Sequence, residues 1–217
     1  MKVEGVNYGK MLEEKLKEID GSGIRPRLLL HACCAPCSSY VLEYLCTHFD
    51  ITLLYYNPNI SPEDEYNTRA EELLRLAGAM KDEKIEGAER IRVEILPYTP
   101  RDFEDIVKGR EGMREGGARC FDCYRLRLEK TAILAKEGGY DYFCTTLSIS
   151  PHKNAAVLNE LGGELEEKYG VSYLFSDFKK KGGYKRSCEL SEKYGLYRQD
   201  FCGCVYSKAE SEKRAKK

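Results

Sequence analysis

The chain has 217 residues, of which 42% are hydrophobic and 33% are charged, and its formal net charge is −1. These proportions indicate a globular protein with one substantial core, and the near-neutral charge excludes a global electrostatic attraction to nucleic acid. No stretch approaches the roughly 20 apolar residues of a membrane helix, so we expect no membrane span. Ten cysteines would suit a secreted disulfide scaffold. Such scaffolds are short and follow a signal segment that we do not find, so we expect a reducing, cytoplasmic location.

Apolar residues recur along the chain with helical spacing in some segments and strand-like spacing in others. Near the N-terminus, Met11, Leu12, Leu16 and Ile19 predict a helix that ends at Gly21-Ser22-Gly23. Short apolar runs predict strands over 27–31, 51–56, 91–96, 140–145 and 171–175. Helices are predicted over 38–49, 100–109, 120–137 and 151–169, together with a long helix in which Ser61 is the N-cap and Pro62 the first residue.

Strands separated by helices throughout predict an α/β, Rossmann-like fold. Right-handed crossovers between the strands would give a mostly parallel sheet with helices on both faces. We expect an N-terminal helical extension over 1–24, a single α/β domain over 25–207 and a basic C-terminal tail over 208–217. In such a sheet, ligands bind beyond the carboxyl ends of the strands, so functional residues are expected there.

Three cysteines follow the first predicted strand, in the segment His31-Ala32-Cys33-Cys34-Ala35-Pro36-Cys37. They precede a helix, whose first N–H groups and dipole favour negative charge. We therefore expect low pKa values for these thiols, as suits metal binding. Neighbouring residues in a loop can both turn toward one metal. The alternative is that Cys33 or Cys34 points into the core as a small hydrophobic residue.

A second pair, Cys120 and Cys123, opens the helix predicted from residue 120. A spacing of three places both thiols on one face of that helix, in its first turn. Together with the upstream cysteines, the pair predicts a metal centre with soft sulfur ligands. Structural zinc is the alternative. Because structural zinc usually stabilises short loops in folds that lack a core, an iron–sulfur cluster is favoured.

The remaining cysteines have other expected roles. Cys202-Gly203-Cys204 can form an easily reduced disulfide or chelate one ion at the edge of the centre, and two unrelated surface thiols are the alternative. Cys46 and Cys144 lie among apolar residues and are expected in the core. Cys188 is expected near the start of a helix, with no role assigned.

Five segments, in order, carry a resemblance to a known family. They are LLLHACCAPCS at 28–38, YYNPNISPEDEYNTRAEE at 55–72, ARCFDCYRLRLEKTA at 118–132, CTTLSISPHKN at 144–154 and YRQDFCGCVYS at 197–207. With them the chain closely resembles the cobalamin-independent epoxyqueuosine reductases, the QueH family. The resemblance implies an oxidoreductase that reduces epoxyqueuosine, at the wobble position of tRNA, to queuosine, the last step of this modification. It also implies an electron donor, which the sequence does not identify.

The same resemblance implies cofactors and their ligands. A 4Fe-4S cluster would be held by Cys33, Cys34, Cys120 and Cys123, with Cys202 and Cys204 as the catalytic redox pair. An additional iron ion accompanies the cluster in this family, and its candidate ligands here are Cys37, Cys202, Cys204 and Asp122. Asp200 departs from the family pattern, in which we expect an uncharged residue, and places a charge near the C-terminal pair.

The fold also resembles the ATP-pyrophosphatase (HUP-type) enzymes that thiolate tRNA. Here the cysteine segment 31–37 replaces their glycine-rich phosphate-binding loop. ATP-dependent tRNA thiolation is therefore an alternative function. It predicts nucleotide binding, and the absence of the glycine-rich loop argues against it. A zinc-stabilised RNA-binding module without catalysis is the second alternative.

Contacts with the substrate are predicted from residue type. Opening an epoxide requires a proton donor, for which the candidates are Glu65, Tyr66 and His152. Candidates for phosphate contacts are the basic segment 179–186, the tail, and Arg69, Arg119, Lys153, Lys185 and Arg186. Candidates for stacking on bases are Tyr55, Tyr56 and Tyr184. Solvated charges, caps and core tyrosines are the alternatives for all of these.

Overall fold

The computed structural model describes residues 5–215, in which eight α-helices and five strands occur. The strands are β1 (Arg27–His31), β2 (Asp50–Tyr55), β3 (Arg92–Ile95), β4 (Tyr142–Thr145) and β5 (Ser172–Tyr173). The helices are α1 (Tyr8–Ser22), α2 (Ala35–Leu45), α3 (Glu63–Asp82), α4 (Pro100–Val107), α5 (Ala118–Glu137), α6 (Ala155–Tyr169), α7 (Gly183–Lys193) and α8 (Val205–Ala215). Residues 1–4 of the predicted extension and 216–217 of the predicted tail lie outside the described residues.

The five strands form one sheet in the order β3-β2-β1-β4-β5. Every neighbouring pair is parallel, so the predicted α/β, Rossmann-like architecture is confirmed, with a sheet that is wholly rather than mostly parallel. The chain order of the strands reverses between β1 and β4. That reversal marks the point where an open parallel sheet leaves a crevice for a ligand.

Both faces of the sheet are buried, which explains the continuous apolar runs of its strands. Leu28 and Leu30 of β1 pack on one face with residues of α2 and α3, whereas Leu29 packs on the other face with residues of α5 and α6. Burial of each such side chain contributes about 1.5–3 kcal/mol. Helix α1 adds Leu12 and Leu16 to the first face. The division of the chain at residues 24 and 207 stays a prediction.

The start of α3 differs from the predicted one. Pro62, not Ser61, is the N-cap, and no side chain caps the helix. The backbone N–H of Ser61 instead donates to the carbonyl of Gly203 at 3.0 Å. The acidic residues Glu63, Asp64 and Glu65 occupy the first turn, where negative charge interacts favourably with the helix dipole. The expected Ser61 cap is therefore wrong.

Helices α2 and α6 also begin at different residues from those expected. Helix α2 starts at Ala35 rather than 38, because Pro36 is tolerated in a first turn, where its missing N–H would be unpaired anyway. Helix α6 starts at Ala155 rather than near 151, because Asn154 is its N-cap. The side chain of Asn154 accepts hydrogen bonds from the backbone N–H groups of Ala156 and Val157.

Most of the expected basic tail is helical, because α8 spans Val205–Ala215. The basic segment 179–186 forms a 3₁₀ turn, Lys180–Gly182, and then enters α7. Within residues 5–215, no helix combines the length and the apolar character needed to cross a membrane.

Candidate metal and redox centre

The loops after β1 and β4 meet where the strand order reverses. Cys33 follows β1 and Thr146 follows β4, and the Sγ of Cys33 lies 4.0 Å from the Oγ1 of Thr146. The helices that follow strands on either side of such a point lie on opposite faces of the sheet, which leaves a crevice. The cysteine loop therefore lies at the predicted carboxyl edge of the sheet.

Cys33, Cys34 and Cys37 direct their thiols toward one another. Their Sγ atoms all lie within 4.8 Å of each other, and those of Cys33 and Cys34 are 3.7 Å apart. Cys34 is the extended N-cap of α2, and Cys37 lies within the first turn of that helix. In the part of the chain that is described, no other group of three metal-binding side chains is this close. A soft metal suits three converging thiols.

The three thiols differ in acidity. Hydrogen bonds from Cys34 and Cys37 hold the pKa of Cys33 well below its usual value. The pKa values of Cys34 and Cys37 are raised, first by their hydrogen bonds to Cys33 and also by burial. The expected low pKa is thus confirmed at Cys33 and wrong at its two neighbours, because closely spaced buried thiols do not all carry charge.

Cys120 and Cys123 face the C-terminal pair across a small cavity. The cavity, of about 10 Å³, is lined by Cys120, Cys123, Cys202 and Cys204. Because α5 begins two residues earlier than predicted, Cys123 lies in its second turn rather than its first. Both thiols nevertheless lie on one face of the helix, as expected. Burial raises the pKa of Cys123 to about 12.

A second cavity, of about 530 Å³, lies beside the small one. Its lining includes Cys33, Cys34 and Cys37. Cys202, Lys153 and Glu115 line both cavities. Seven thiols therefore surround two neighbouring spaces, and the larger one falls within the range of about 300–1,000 Å³ that is typical of ligand sites.

The C-terminal pair is positioned by the backbone of its central glycine. Gly203 has a φ of +116°, which side-chain-bearing residues rarely adopt. Its carbonyl accepts the N–H of Ser61, and the carbonyl of Cys202 accepts a hydrogen bond from Arg69 at 3.2 Å. Both thiols of the pair are free.

Buried cations accompany the thiols. Lys153 is 8% exposed, and its Nζ donates to the Sγ of Cys202 at 3.0 Å and lies 3.6 Å from a carboxylate oxygen of Glu115. Burial by itself would lower the pKa of Lys153. Attraction to Cys202 and other groups has the larger effect, so the pKa of Lys153 is raised. Arg69 is also buried and pairs with Glu65 at 2.6 Å.

Arg127 is another buried cation, which the sequence pattern did not single out. Its Nε donates to the carbonyl of Cys123 at 3.1 Å, and it lines the small cavity. The signal was its position four residues after Cys123, which places both residues on the same helical face. Seven thiols accompanied by four buried cations, Arg69, Arg119, Arg127 and Lys153, fit a polythiolate iron–sulfur centre, because the thiols are soft donors and the cations offset negative charge.

His31 also supports the site without having been predicted to do so. It is fully buried, with its Nδ1 2.9 Å from the hydroxyl of Thr145 and its Nε2 3.1 Å from the carbonyl of Tyr56. Burial, followed by the charge of Arg127, lowers its pKa to about 4. The ring is therefore neutral at pH 7 and connects β1 to both of its neighbours beneath the cysteine loop.

Among the proton-donor candidates, His152 lines the larger cavity. The hydroxyl of Tyr66 instead donates to the carbonyl of Leu96 at 2.6 Å, and Glu65 is held by Arg69. Neither of these two residues lines the larger cavity.

Most of the phosphate candidates are buried or paired. Arg69, Arg119 and Lys153 are all less than 9% exposed, which disfavours contact with phosphates, and such contact stays a prediction. Arg119 donates to the carbonyl of Glu111 and stacks on the ring of Tyr206. Arg186 pairs with Glu43 and Glu189, and Lys181 pairs with Glu13. Lys185 is exposed. Arg198 and Arg214, both exposed, line the larger cavity, as do the buried Arg69 and Lys153.

The stacking candidates separate in the same way. Tyr55 and Tyr56 are buried in the core, where the hydroxyl of Tyr55 donates to the carbonyl of Tyr66. Tyr184 is 39% exposed and lines the larger cavity.

The remaining predicted residues lie away from the two cavities, with one exception. Asp122 forms an ion pair with Arg110 and lines neither space. Cys46 and Cys144 are buried in the core, as predicted. Cys188 lies in the middle of α7 rather than at its start. The exception is Asp200, which lines the larger cavity and accepts a hydrogen bond from Ser211.

Comparisons with known proteins agree with this arrangement. The family model described as "Epoxyqueuosine reductase QueH" matches residues 28–210. A relative named epoxyqueuosine reductase QueH in Streptococcus pyogenes is 42% identical over 202 residues, covering 93% of this chain and 78% of the relative. Relatives of the same name occur in Staphylococcus aureus, at 41% identity over 95% of this chain and 86% of the relative, and in Thermotoga maritima, at 37% over 86% and 93%.

The match spans the cysteine loop, α5 and the C-terminal pair, and with them most of the lining of both cavities. Its extent and the identity of the relatives confirm the resemblance seen in the five sequence segments. The family is one of oxidoreductases by name, as the sequence predicted. The chain belongs to the epoxyqueuosine reductase QueH family.

Proposed function

We propose that this protein reduces the epoxide of epoxyqueuosine in tRNA to the alkene of queuosine. The observation that carries the proposal is the meeting of seven thiols around two neighbouring cavities at the reversal point of the sheet. The names of the relatives support the reaction and the substrate. The cytoplasmic location, the tRNA partner and an electron donor that stays unidentified belong to the same proposal.

Cys33, Cys34, Cys120 and Cys123 are the proposed ligands of a 4Fe-4S cluster. Cys37, Cys202, Cys204 and Asp122 are the candidates for an additional iron ion, and the thiols are favoured because Asp122 pairs with Arg110 and lines neither cavity. When bound, these groups would supply single electrons and a Lewis-acidic metal.

The C-terminal pair suits the stoichiometry of the reaction. Opening an epoxide to an alkene consumes two electrons and two protons and releases the oxygen as water. Two thiols that form a disulfide release two electrons and two protons, so Cys202 and Cys204 can balance one turnover, after which the external donor reduces the disulfide again. Lys153, at 3.0 Å from the Sγ of Cys202, stabilises negative charge on that sulfur.

The larger cavity is the proposed binding site for the modified base. Proteins that recognise bases in RNA loops extrude them into pockets and stack them on aromatic side chains, and Tyr184 is the exposed aromatic residue available here. Arg198 and Arg214 in the lining can reach the neighbouring phosphates. His152 is the proton-donor candidate that this position supports.

Anaerobic purification followed by two measurements tests the proposal. We expect broad visible absorbance with bound iron and sulfide, and we expect conversion of epoxyqueuosine to queuosine in tRNA supplied with a strong chemical reductant, detected by mass spectrometry of the nucleosides. A colourless zinc protein that binds RNA without reducing it would support the non-catalytic zinc module instead. ATP-dependent incorporation of sulfur into tRNA would support the thiolation alternative.

A further inference from the structure

Arg127 is buried with part of its charged group unsatisfied. Its side chain is 1% exposed, its Nε donates to the carbonyl of Cys123, and its Nη1 lies 3.5 Å from the side-chain oxygen of Asn57. Its Nη2 is buried without a hydrogen-bond partner among the described residues. A buried donor left without an acceptor destabilises the fold, and the penalty is greater when the donor is charged. The geometry therefore points to an acceptor that the protein itself does not provide.

Arg127 lies beside a space lined by thiols. It lines the small cavity together with Cys120, Cys123, Cys202 and Cys204. Burial lowers the pKa of its guanidinium, but attraction to Cys123, Cys202 and Cys33 outweighs burial and raises it. These cysteines come from both halves of the proposed centre. The guanidinium therefore lines the small cavity beside two proposed cluster ligands, Cys120 and Cys123, and the C-terminal pair.

We propose that Arg127 tunes electron uptake by the iron–sulfur centre, with its fixed positive charge favouring the reduced form and its Nη2 available to donate to a sulfur of the bound group. This inference rests on the proposed function, in which Cys33, Cys34, Cys120 and Cys123 hold the cluster. The step is the addition of one electron from an external donor. No bond forms or breaks, and Arg127 keeps its protons.

The physical basis is the change in charge on reduction. A reduced cluster carries one more negative charge than the oxidised one, so a nearby cation stabilises the reduced form more strongly. Net charge, hydrogen bonds to the sulfurs and exclusion of solvent set the potentials of such clusters. Burial strengthens the effect, because a low-dielectric interior screens charges less than water does.

A purely structural role is the competing explanation. Arg127 also connects α5 to the loop after β2 through Asn57. That role would depend on hydrogen bonds and packing and not on the charge of the centre. A measurement of the reduction potential therefore distinguishes the two roles, whereas a measurement of stability does not.

The test is a spectroscopic redox titration of the anaerobically purified holoprotein, with dithionite as the reductant. In Arg127→Gln we expect the equilibrium constant for one-electron reduction to fall at least tenfold, which corresponds to about 59 mV toward a more negative potential. Arg127→Lys keeps the charge and should retain most of the parent potential. Arg125→Gln is the matched control on the same helix: Arg125 is exposed and pairs with Glu164, so the potential should not change.

An unchanged potential in Arg127→Gln would overturn the inference, as would an equal shift in Arg127→Lys. If the Gln variant fails to fold or to hold the cluster, Asn57→Asp decides, because it places a negative charge beside Nη1 while keeping Arg127. It should also lower the potential, and no shift would overturn the inference. A parent protein without iron and sulfide would refute the proposed function and the inference together, whereas a loaded parent whose variants show no shift refutes the inference alone.

Discussion

The ammonium of Lys153 donates to the thiol of Cys202 at 3.0 Å and is itself buried, with Glu115 on its other side. Since Lys153 lines both cavities, it places a positive charge between the substrate space and the C-terminal pair. The contact between Lys153 and Cys202 therefore joins the cavity proposed for the modified base to the thiols proposed for the redox chemistry.

Replacing Lys153 with Met should slow turnover by about 10- to 100-fold, because a hydrogen bond to a charged group contributes about 1.5–3 kcal/mol. Single-turnover assays with epoxyqueuosine-containing tRNA measure the effect. Lys168→Met is the matched control, since Lys168 pairs with Glu129 at the surface. Equal rates for the Lys153 variant and the control would show that Lys153 takes no part in the chemical step.

Replacing Cys33, Cys34, Cys120 or Cys123 singly with Ala should remove most of the bound iron and sulfide, because a cluster held by three thiolates is more labile. Metal and sulfide analysis of anaerobically purified variants gives the result. Cys46→Ala is the control: its thiol donates to the carbonyl of Glu86 in the core, so the change should affect stability slightly and leave the iron content unchanged. Full iron content in the Cys120 variant would show that Cys120 is not a ligand.

Replacing Cys202 or Cys204 with Ser should leave the cluster absorbance intact while turnover collapses. A residue that acts only in the chemical step can be removed without dismantling the scaffold. Absorbance and the conversion assay are measured on the same sample, with a strong chemical reductant as donor. If the Cys202 variant keeps near-normal activity, the pair is not catalytic and Cys37 becomes the leading thiol for the second metal.

The salt dependence of tRNA binding should identify the residues that bind phosphate. Neutralising Arg198 and Arg214, which line the larger cavity, should reduce the slope of log affinity against log salt by about 1 for each phosphate interaction removed. Arg214 already lies 3.9 Å from Glu115, so we expect most of this change from Arg198. Neutralising Lys181 and Arg186 should change the slope less, since both pair with glutamates and neither lines the cavity. A larger change from the second pair would place the tRNA on the 179–186 segment, as the sequence suggested.

Gly203→Ala should reduce the free energy of unfolding by about 1–3 kcal/mol, because the new methyl would lie 2.9 Å from Ile60 and the backbone is at positive φ. Urea denaturation measures the change. Gly195→Ala is the control: its φ is also positive, but a Cβ there meets nothing within 4 Å. The difference between the two variants reports the close approach to Ile60 and Arg69 together with the greater backbone strain at a φ of +116°. Equal losses of stability would mean that this approach contributes nothing.

The sequence by itself determined the α/β class and the placement of the first cysteine loop. Apolar runs such as Leu28–Leu30 are long enough for strands and are buried on both faces, a pattern typical of parallel sheets. A cysteine loop that directly follows a strand of this kind must lie at the carboxyl edge. These features depend on local spacing, so they can be recognised without coordinates.

Helix starts were predicted less accurately, since they depend on competing local contacts. At Ser61, the backbone N–H bonds to Gly203, far along the chain, and the residue does not cap α3. At Asn154, a side-chain cap delays the start of α6. Such choices follow from contacts that short-range patterns do not contain.

Only the tertiary structure decided which charged and aromatic side chains surround the thiols. Lys153 and Arg69 are basic residues of the kind that contact phosphates. In the folded protein, however, both are buried and donate hydrogen bonds to the C-terminal pair. Arg127 gave little signal in the sequence, and it lines the small cavity with its Nη2 unpartnered among the described residues. The reason is physical: a cation is buried only where opposite charge offsets the loss of hydration, and the thiols that offset it here come from segments far apart in the chain.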